Sequence, residues 1–400
     1  MQLLAIITIV FSGLPNSVFA HPGHNVKDEA AQREAYLNSV PVQSRSLAHC
    51  TSIIKKRGIE NVNAVRRKAT VDLLRRKRGI STGTLQGLPL FIKRSVDKMY
   101  LKARDFNSTL ATNHHSSLTG VDVSTDPHIL FGSGGTCIVQ PEVTQGPYYI
   151  AGELIRENVI EDQEGVPLFM DIQLIDINTC DPMPHIYTDM WHCNATGVYS
   201  GVVANGNGNI NDSSNLNTTF LRGVQESRDD GVVRFETIFP GHYTYRAVHI
   251  HVATHPVNET KILPNGTIAG IYDGRSSHVG QIFFDQDLIT AVEMNPPYKF
   301  NTQVLTENSD DDILGTEAKT TDPFMEYLYL GDSPADGIFA WISIGVNANR
   351  DDALSPEGYW TEDGGEVNDN FSMNMTGIGN IGSMPTTSSA VTSSTSLKPR

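Results

Sequence analysis

Residues 231–255 read GVVRFETIFPGHYTYRAVHIHVATH. Two parts of this stretch, 231–240 and 247–254, are rich in valine, isoleucine and phenylalanine and read as strands. The Pro240-Gly241 pair breaks the chain between them. Residues two apart on a strand project to the same face. His249 and His251 therefore point together and offer one metal ion two imidazoles. Tyr243 lies in the connecting turn, and Tyr199 lies upstream in WHCNATGVYSG. A phenol normally ionises near pH ~10, but a trivalent cation lowers that value and is stabilised by hard anionic oxygen. Two phenolates with two imidazoles favour ferric iron over zinc, whose usual sites draw on histidine, cysteine and carboxylate.

The flanking sequence repeats the short-strand pattern. VPLFMDIQLIDIN (166–178), IYTDMWHC (186–193), HVGQIFFD (278–285) and GIFAWISIGV (337–346) are separated by Gly, Asn, Asp and Pro turns. Such a set is typical of an antiparallel β-sandwich, so the fold class is mainly β over a domain at 137–350. NGNGNINDSSNLN (205–217) reads as a loop. Residues 26–80 show helical spacing within a basic N-terminal region, 21–104. This region is either an amphipathic arm, its charges solvated or facing the acidic C-terminal stretch, or a pro-segment cut after Lys77-Arg78. Residues 105–136 read as a linker in which His114 and His115 are exposed. Residues 351–400 form an acidic and then Ser/Thr-rich tail, expected to be disordered from about 372.

The first twenty residues, MQLLAIITIVFSGLPNSVFA, read as a cleaved secretory signal, although the usual positive charge at the start is missing. N-x-S/T acceptors at Asn107, Asn194, Asn211, Asn217, Asn258, Asn265, Asn370 and Asn374 fit a secreted glycoprotein. Asn194, inside the candidate site, is expected to be unmodified. Cys50, Cys137, Cys180 and Cys193 would pair as disulfides in that compartment, with three connectivities open. With 39% hydrophobic and 19% charged residues, the 400-residue chain can bury a substantial core. Its net charge of −15 argues against nucleic acid or an anionic membrane as partner. No apolar segment reaches the roughly 20 residues a membrane span needs.

Four ordered stretches, TQGPYYI, DMWHCNATGVYSG, TIFPGHYTYRAVHIH and VGQIFFD, resemble the intradiol ring-cleavage dioxygenases, specifically their secreted fungal branch. The resemblance covers roughly residues 137–345. It implies a β-sandwich with helical N-terminal additions and a mononuclear non-heme Fe(III) held by Tyr199, Tyr243, His249 and His251. Tyr245 is an extra phenol between the ligands, which leaves the choice between Tyr243 and Tyr245 open. The family's active-site arginine falls on Arg246 and its glutamine on Gln281. By the same resemblance Tyr243 dissociates and helps accept a substrate proton. Arg246 would stabilise negative charge on the ring, and Gln281 would position bound oxygen. The expected partners are a catechol-type diol and O2, and residues 26–80 could pair two copies of the chain.

Plainer readings compete. Trp191 is a core residue, and Tyr148 and Tyr149 pack a turn. His192, His242 and His255 serve as hydrogen-bonding residues. An N-terminal His21 could chelate copper through its amine and ring, but HPGHNVKDEA is polar and supports no such site. The rival from another class is a secreted binding module for cell-wall glycans or phenolics, its iron site structural or residual. The full set of Tyr199, Tyr243, Arg246, His249, His251 and Gln281 argues for chemistry instead.

Overall fold

A computed structural model describes residues 19–21, 24–39, 47–80, 105–116, 137–138, 146–255, 261–269, 275–319, 321–350 and 352–369. Most of the expected signal segment, the part of the linker beyond 116 and the Ser/Thr-rich end lie outside them. The strands that build the domain are β1 (Cys137–Ile138), β2 (Ile150–Ala151), β3 (Pro167–Asp176), β4 (Tyr187–Trp191), β5 (Arg222–Glu226) and β6 (Val232–Ile238). They continue with β7 (His249–His255), β8 (His278–Phe283), β9 (Glu326–Tyr329), β10 (Ile338–Val346), β11 (Gly358–Thr361) and β12 (Gly364–Val367). One sheet runs β9-β10-β3-β6, with β1 pairing β10, and the other runs β8-β7-β4-β5. The expected sandwich is present, but β10 pairs in parallel with both β3 and β1 rather than antiparallel.

Alternation explains how the two sheets meet. Leu168, Met170, Ile172 and Leu174 of β3 join Ile250 and Val252 of β7, Met190 of β4 and Ile282 of β8 in one core. Period-two geometry then turns His249 and His251 to the opposite face of β7. That face is also covered, so every residue of β7 is buried. A second cluster, including Tyr148, Tyr149, Trp191, Tyr199, Tyr243 and Val279, supplies the cover.

The helices are α1 (Val26–Ser39), α2 (Thr51–Arg57), α3 (Ile59–Lys77), α4 (Phe106–Leu110), α5 (Gln286–Glu293) and α6 (Asp312–Glu317). No described helix is long and apolar enough to cross a membrane. Helix α3 buries Ala64 and Val71 against Phe169, Leu328, Phe339 and Trp341 on the outer face of the first sheet. Arg76, Lys77 and Arg78 are exposed and Arg78 donates to the Asp336 carbonyl, but two charges, Arg66 and Arg67, turn into the first sheet. Arg66 grips buried Asp171 with two nitrogens, at 2.8 and 3.2 Å, and Arg67 adds a third bond at 3.0 Å. Arg234 approaches the same carboxylate at 3.4 Å. A disulfide between Cys50 and Cys180 joins the arm covalently to the domain.

Three expectations change. Full pairing of the cysteines fails, because Cys193 is a buried free thiol that donates to the Gly241 carbonyl at 3.2 Å. His114 is not exposed: it is buried between Asp285 and Asp322 and stacks on Phe324, because two carboxylates and an aromatic face satisfy a ring that a linker would leave in water. The folded region also runs past 350, where β11 and β12 form a hairpin and β11 pairs in parallel with β2.

Burial alone would raise the Asp171 carboxyl, but Arg66, Arg67 and Arg234 hold it well below the usual carboxylate range. A depressed carboxylate contributes stability above its unfolded pKa of about 4 and loses it as pH falls toward the folded value. Asp171→Asn should lower unfolding free energy by about 3 kcal/mol near neutral pH, as loss of one partner of a buried ion cluster does. The gap in melting temperature between wild type and variant should narrow from pH ~5 downward. A gap that stays constant with pH would contradict this assignment.

Candidate metal centre

The centre is assembled on β7, whose neighbours set its walls. His251 lies opposite Trp191 on one side and Gln281 on the other, and His249 lies opposite Phe283. The Trp191 ring stacks on His251 at 4.9 Å and 5°. A methyl group at Gly146 would stand 2.8 Å from the His251 ring, and Gly146 has φ +74°. Glycine in the GPYY turn therefore leaves the space this imidazole fills and takes a left-handed conformation without strain.

The two tyrosines arrive on loops that are pinned to each other. Gly241 donates its N–H to the Asn194 carbonyl at 3.2 Å, and a Cβ there would lie 2.4 Å from that oxygen. Only glycine permits this approach, and it brings the loop carrying Tyr199 against the turn carrying Tyr243. Asn207 and Asn215 then clamp the Tyr199 backbone. Asn207 accepts from the Tyr199 N–H at 2.7 Å and donates to its carbonyl at 2.8 Å, and Asn215 donates to the same carbonyl at 2.8 Å. Both asparagines come from the polar loop at 205–217, where composition signalled only a turn-rich connection.

Side-chain geometry follows. The Tyr243 hydroxyl lies 3.2 Å from His249 Nε2, which lies 3.1 Å from His251 Nε2. The Tyr199 ring packs edge-on against Tyr243 at 5.8 Å and His251 at 6.1 Å. None of the four side chains is more than 3% exposed. His249 Nδ1 donates to the Ala247 carbonyl at 2.6 Å, which sets the tautomer and turns the Nε2 lone pair toward the other donors. Tyr245, in contrast, is 42% exposed with φ +76° and stands outside this cluster.

Arg246 is fully buried. Its Nε donates to Asp311 at 3.0 Å and its Nη2 to Gln281 Oε1 at 2.6 Å, while Nη1 makes no hydrogen bond among the described residues. Asp311 accepts four bonds in all. One oxygen takes Arg246 Nε and the Ala247 N–H, and the other caps α6 through the Ile313 and Leu314 N–H groups. Sequence reasoning missed Asp311, whose only signal was an N-cap aspartate ahead of a helical run. His192 and His242 hold structure: His192 bonds Thr237 and the Cys193 carbonyl, and His242 bonds Glu293 and the Gln303 carbonyl.

Burial pushes the Tyr199 and Tyr243 phenols above their ordinary value, with Arg246 opposing the shift at Tyr243. Both phenolates would thus need a strongly positive partner, which a bound ferric ion provides. Two imidazole nitrogens and two phenols packed without solvent suit such an ion better than they suit one another. The other described grouping of metal-type side chains, His49 with Cys50 and Cys180, has both sulfurs tied up in the disulfide.

No family model and no curated protein matches the chain. Among solved structures, the chain is similar to an intradiol ring-cleavage dioxygenase from Tetranychus urticae, at 29% identity over 54% of this chain and 96% of that one, with a TM-score of 0.43. A second dioxygenase structure is 30% identical over 54% of this chain and 96% of that chain, with a TM-score of 0.41. A catechol 1,2-dioxygenase from Pseudomonas arvilla C-1 is 18% identical over 52% of this chain and 62% of that one, with a TM-score of 0.34.

Asparagine caps helices nearly as well as aspartate, so Asp311→Asn separates the cap from the ion pair. If the pair with Arg246 dominates, denaturant unfolding should show a loss of about 3 kcal/mol. A loss under about 1 kcal/mol would mean the cap is its main role.

Proposed function

We propose that this chain, which belongs to the intradiol ring-cleavage dioxygenase family, is a secreted ferric dioxygenase that opens catechol-type rings between the two hydroxyl-bearing carbons. The observation that carries the proposal is the buried convergence of His249, His251 and Tyr243 at 3.1–3.2 Å, with Tyr199 packed against them. Tyr199, Tyr243, His249 and His251 would hold the metal. A ferric ion held there would supply the electron-withdrawing chemistry that lets a diol ring react with O2 without an organic cofactor. A catechol would then give cis,cis-muconic acid, with both atoms of O2 in the product.

The protein's own groups have distinct tasks. Tyr243 Oη would be the site for one substrate proton, the role the family resemblance gives it, with the buried Arg246 charge opposing the burial of its phenolate. Arg246 supplies a fixed positive charge where negative charge develops, and its unbonded Nη1 is a donor ready for it. Asp311 and Gln281 hold that guanidinium from two sides, which keeps it oriented before substrate arrives. The packed aromatic wall of Tyr148, Trp191 and Tyr199 excludes water and strengthens these interactions. Secretion is supported by the Cys50–Cys180 disulfide. Substrates would then be diols met outside the cell, such as lignin-derived catechols, hydroxyquinol or plant phenolics.

Purified, iron-loaded protein should show a broad visible band, shift it on anaerobic addition of catechol, and consume one O2 per catechol on aeration. Tyr199→Phe and His249→Ala should remove both band and turnover. Arg246→Gln should keep the band and lower kcat on the order of 100-fold. A coloured protein that binds catechol without consuming oxygen would contradict the enzyme and favour a binding module.

A further inference from the structure

A buried charge lies behind one of the two tyrosines. Arg222 of β5 is 1% exposed, and its guanidinium carbon stands 6.0 Å from the centroid of the Tyr199 ring. Its Nε and Nη2 donate to the Ser200 carbonyl at 3.1 and 2.7 Å, and Nε also reaches Ser200 Oγ at 2.9 Å. Its Nη1 faces Glu153 at 3.4 Å. These bonds fix the residue that follows Tyr199, while the charge lies within cation–π range of the tyrosine ring.

The charge is not cancelled where it stands. Glu153 is fully buried, and burial pushes its carboxyl up to about 8 against the opposing pull of Arg222. Burial likewise raises the Asp189 carboxyl. An arginine keeps its proton under such conditions, so the guanidinium presents positive charge to the Tyr199 ring. Arg246 acts on both phenols, whereas Arg222 stands over the ring of Tyr199.

We infer that Arg222 is a positioning residue for Tyr199: it clamps the Ser200 turn and lowers the energy of the Tyr199 phenolate electrons through a positive charge on the ring. This rests on the ferric-site reading above. It makes Tyr199 a weaker electron donor than the same phenolate would be without the charge, and it fixes the turn that carries it. No part of the four-stretch resemblance contains Arg222, and no contact joins it to the substrate groups named above.

The test is the visible spectrum of iron-loaded Arg222 variants. Removing the charge raises the phenolate electrons, so Arg222→Met should move the charge-transfer band to longer wavelength by tens of nanometres. Arg222→Gln keeps an amide donor for Ser200 but no charge, and should shift the band in the same direction. It also serves if the methionine variant does not fold. Arg222→Lys should hold the band close to the wild-type position, a rescue that a purely structural role would not produce. A coloured wild type whose band is unmoved in a folded, iron-loaded Arg222→Gln protein overturns the role of Arg222 alone. A wild type that stays colourless after iron loading overturns the ferric site itself, and this inference with it.

Discussion

Strand β7 has to satisfy two unlike environments at once, and the rest of the structure depends on how it does so. Ile250 and Val252 enter the core between the sheets, while His249 and His251 project from the other face. A strand with one apolar face is ordinary, but a second face of imidazoles must be covered by groups that leave their nitrogens usable. Loops supply that cover. Gly241 brings the Tyr243 turn onto Asn194, Gly146 makes room for the His251 ring, and Trp191 stacks upon it. The result is a set of oxygen and nitrogen donors sealed from water on the outside of a sheet rather than at its edge.

The sandwich and the shared face of His249 and His251 were legible because both depend on local periodicity. A period of two over 247–254 dictates which side chains share a face, and that pattern survives whatever surrounds it. What could not be read depends on contacts between distant segments. Asp311 is separated from Arg246 by 65 positions, and nothing in either neighbourhood announces the pair. Asn207 and Asn215 sit in a loop whose composition is that of any solvent-exposed connection, yet their amides hold the Tyr199 backbone. His114 likewise becomes buried only through Asp285 and Asp322. The choice between Tyr243 and Tyr245 was open in sequence, and the fold places the first inside the cluster and the second at the surface.

Electrostatics gives the helical arm a structural meaning that its basic composition obscured. Three arginines converge on Asp171, two of them from α3, so the arm is part of the packed domain. A second buried system joins Arg222, Glu153 and Asp189 behind Tyr199, and a third joins Arg246 to Asp311 beside Tyr243. Arg222 and Arg246 thus place fixed charges on both sides of one donor set, and charges oriented in advance act on a reacting centre without reorganising.

The central claim is that Tyr199, Tyr243, His249 and His251 surround one iron ion. Anomalous X-ray scattering from a crystal of the iron-loaded protein, recorded on both sides of the iron absorption edge, tests it most directly. The account predicts one strong anomalous peak bounded by the Tyr199 and Tyr243 oxygens and the Nε2 atoms of His249 and His251. A peak elsewhere, or electron density that leaves those four side chains bonded only to one another in iron-loaded crystals, would contradict it.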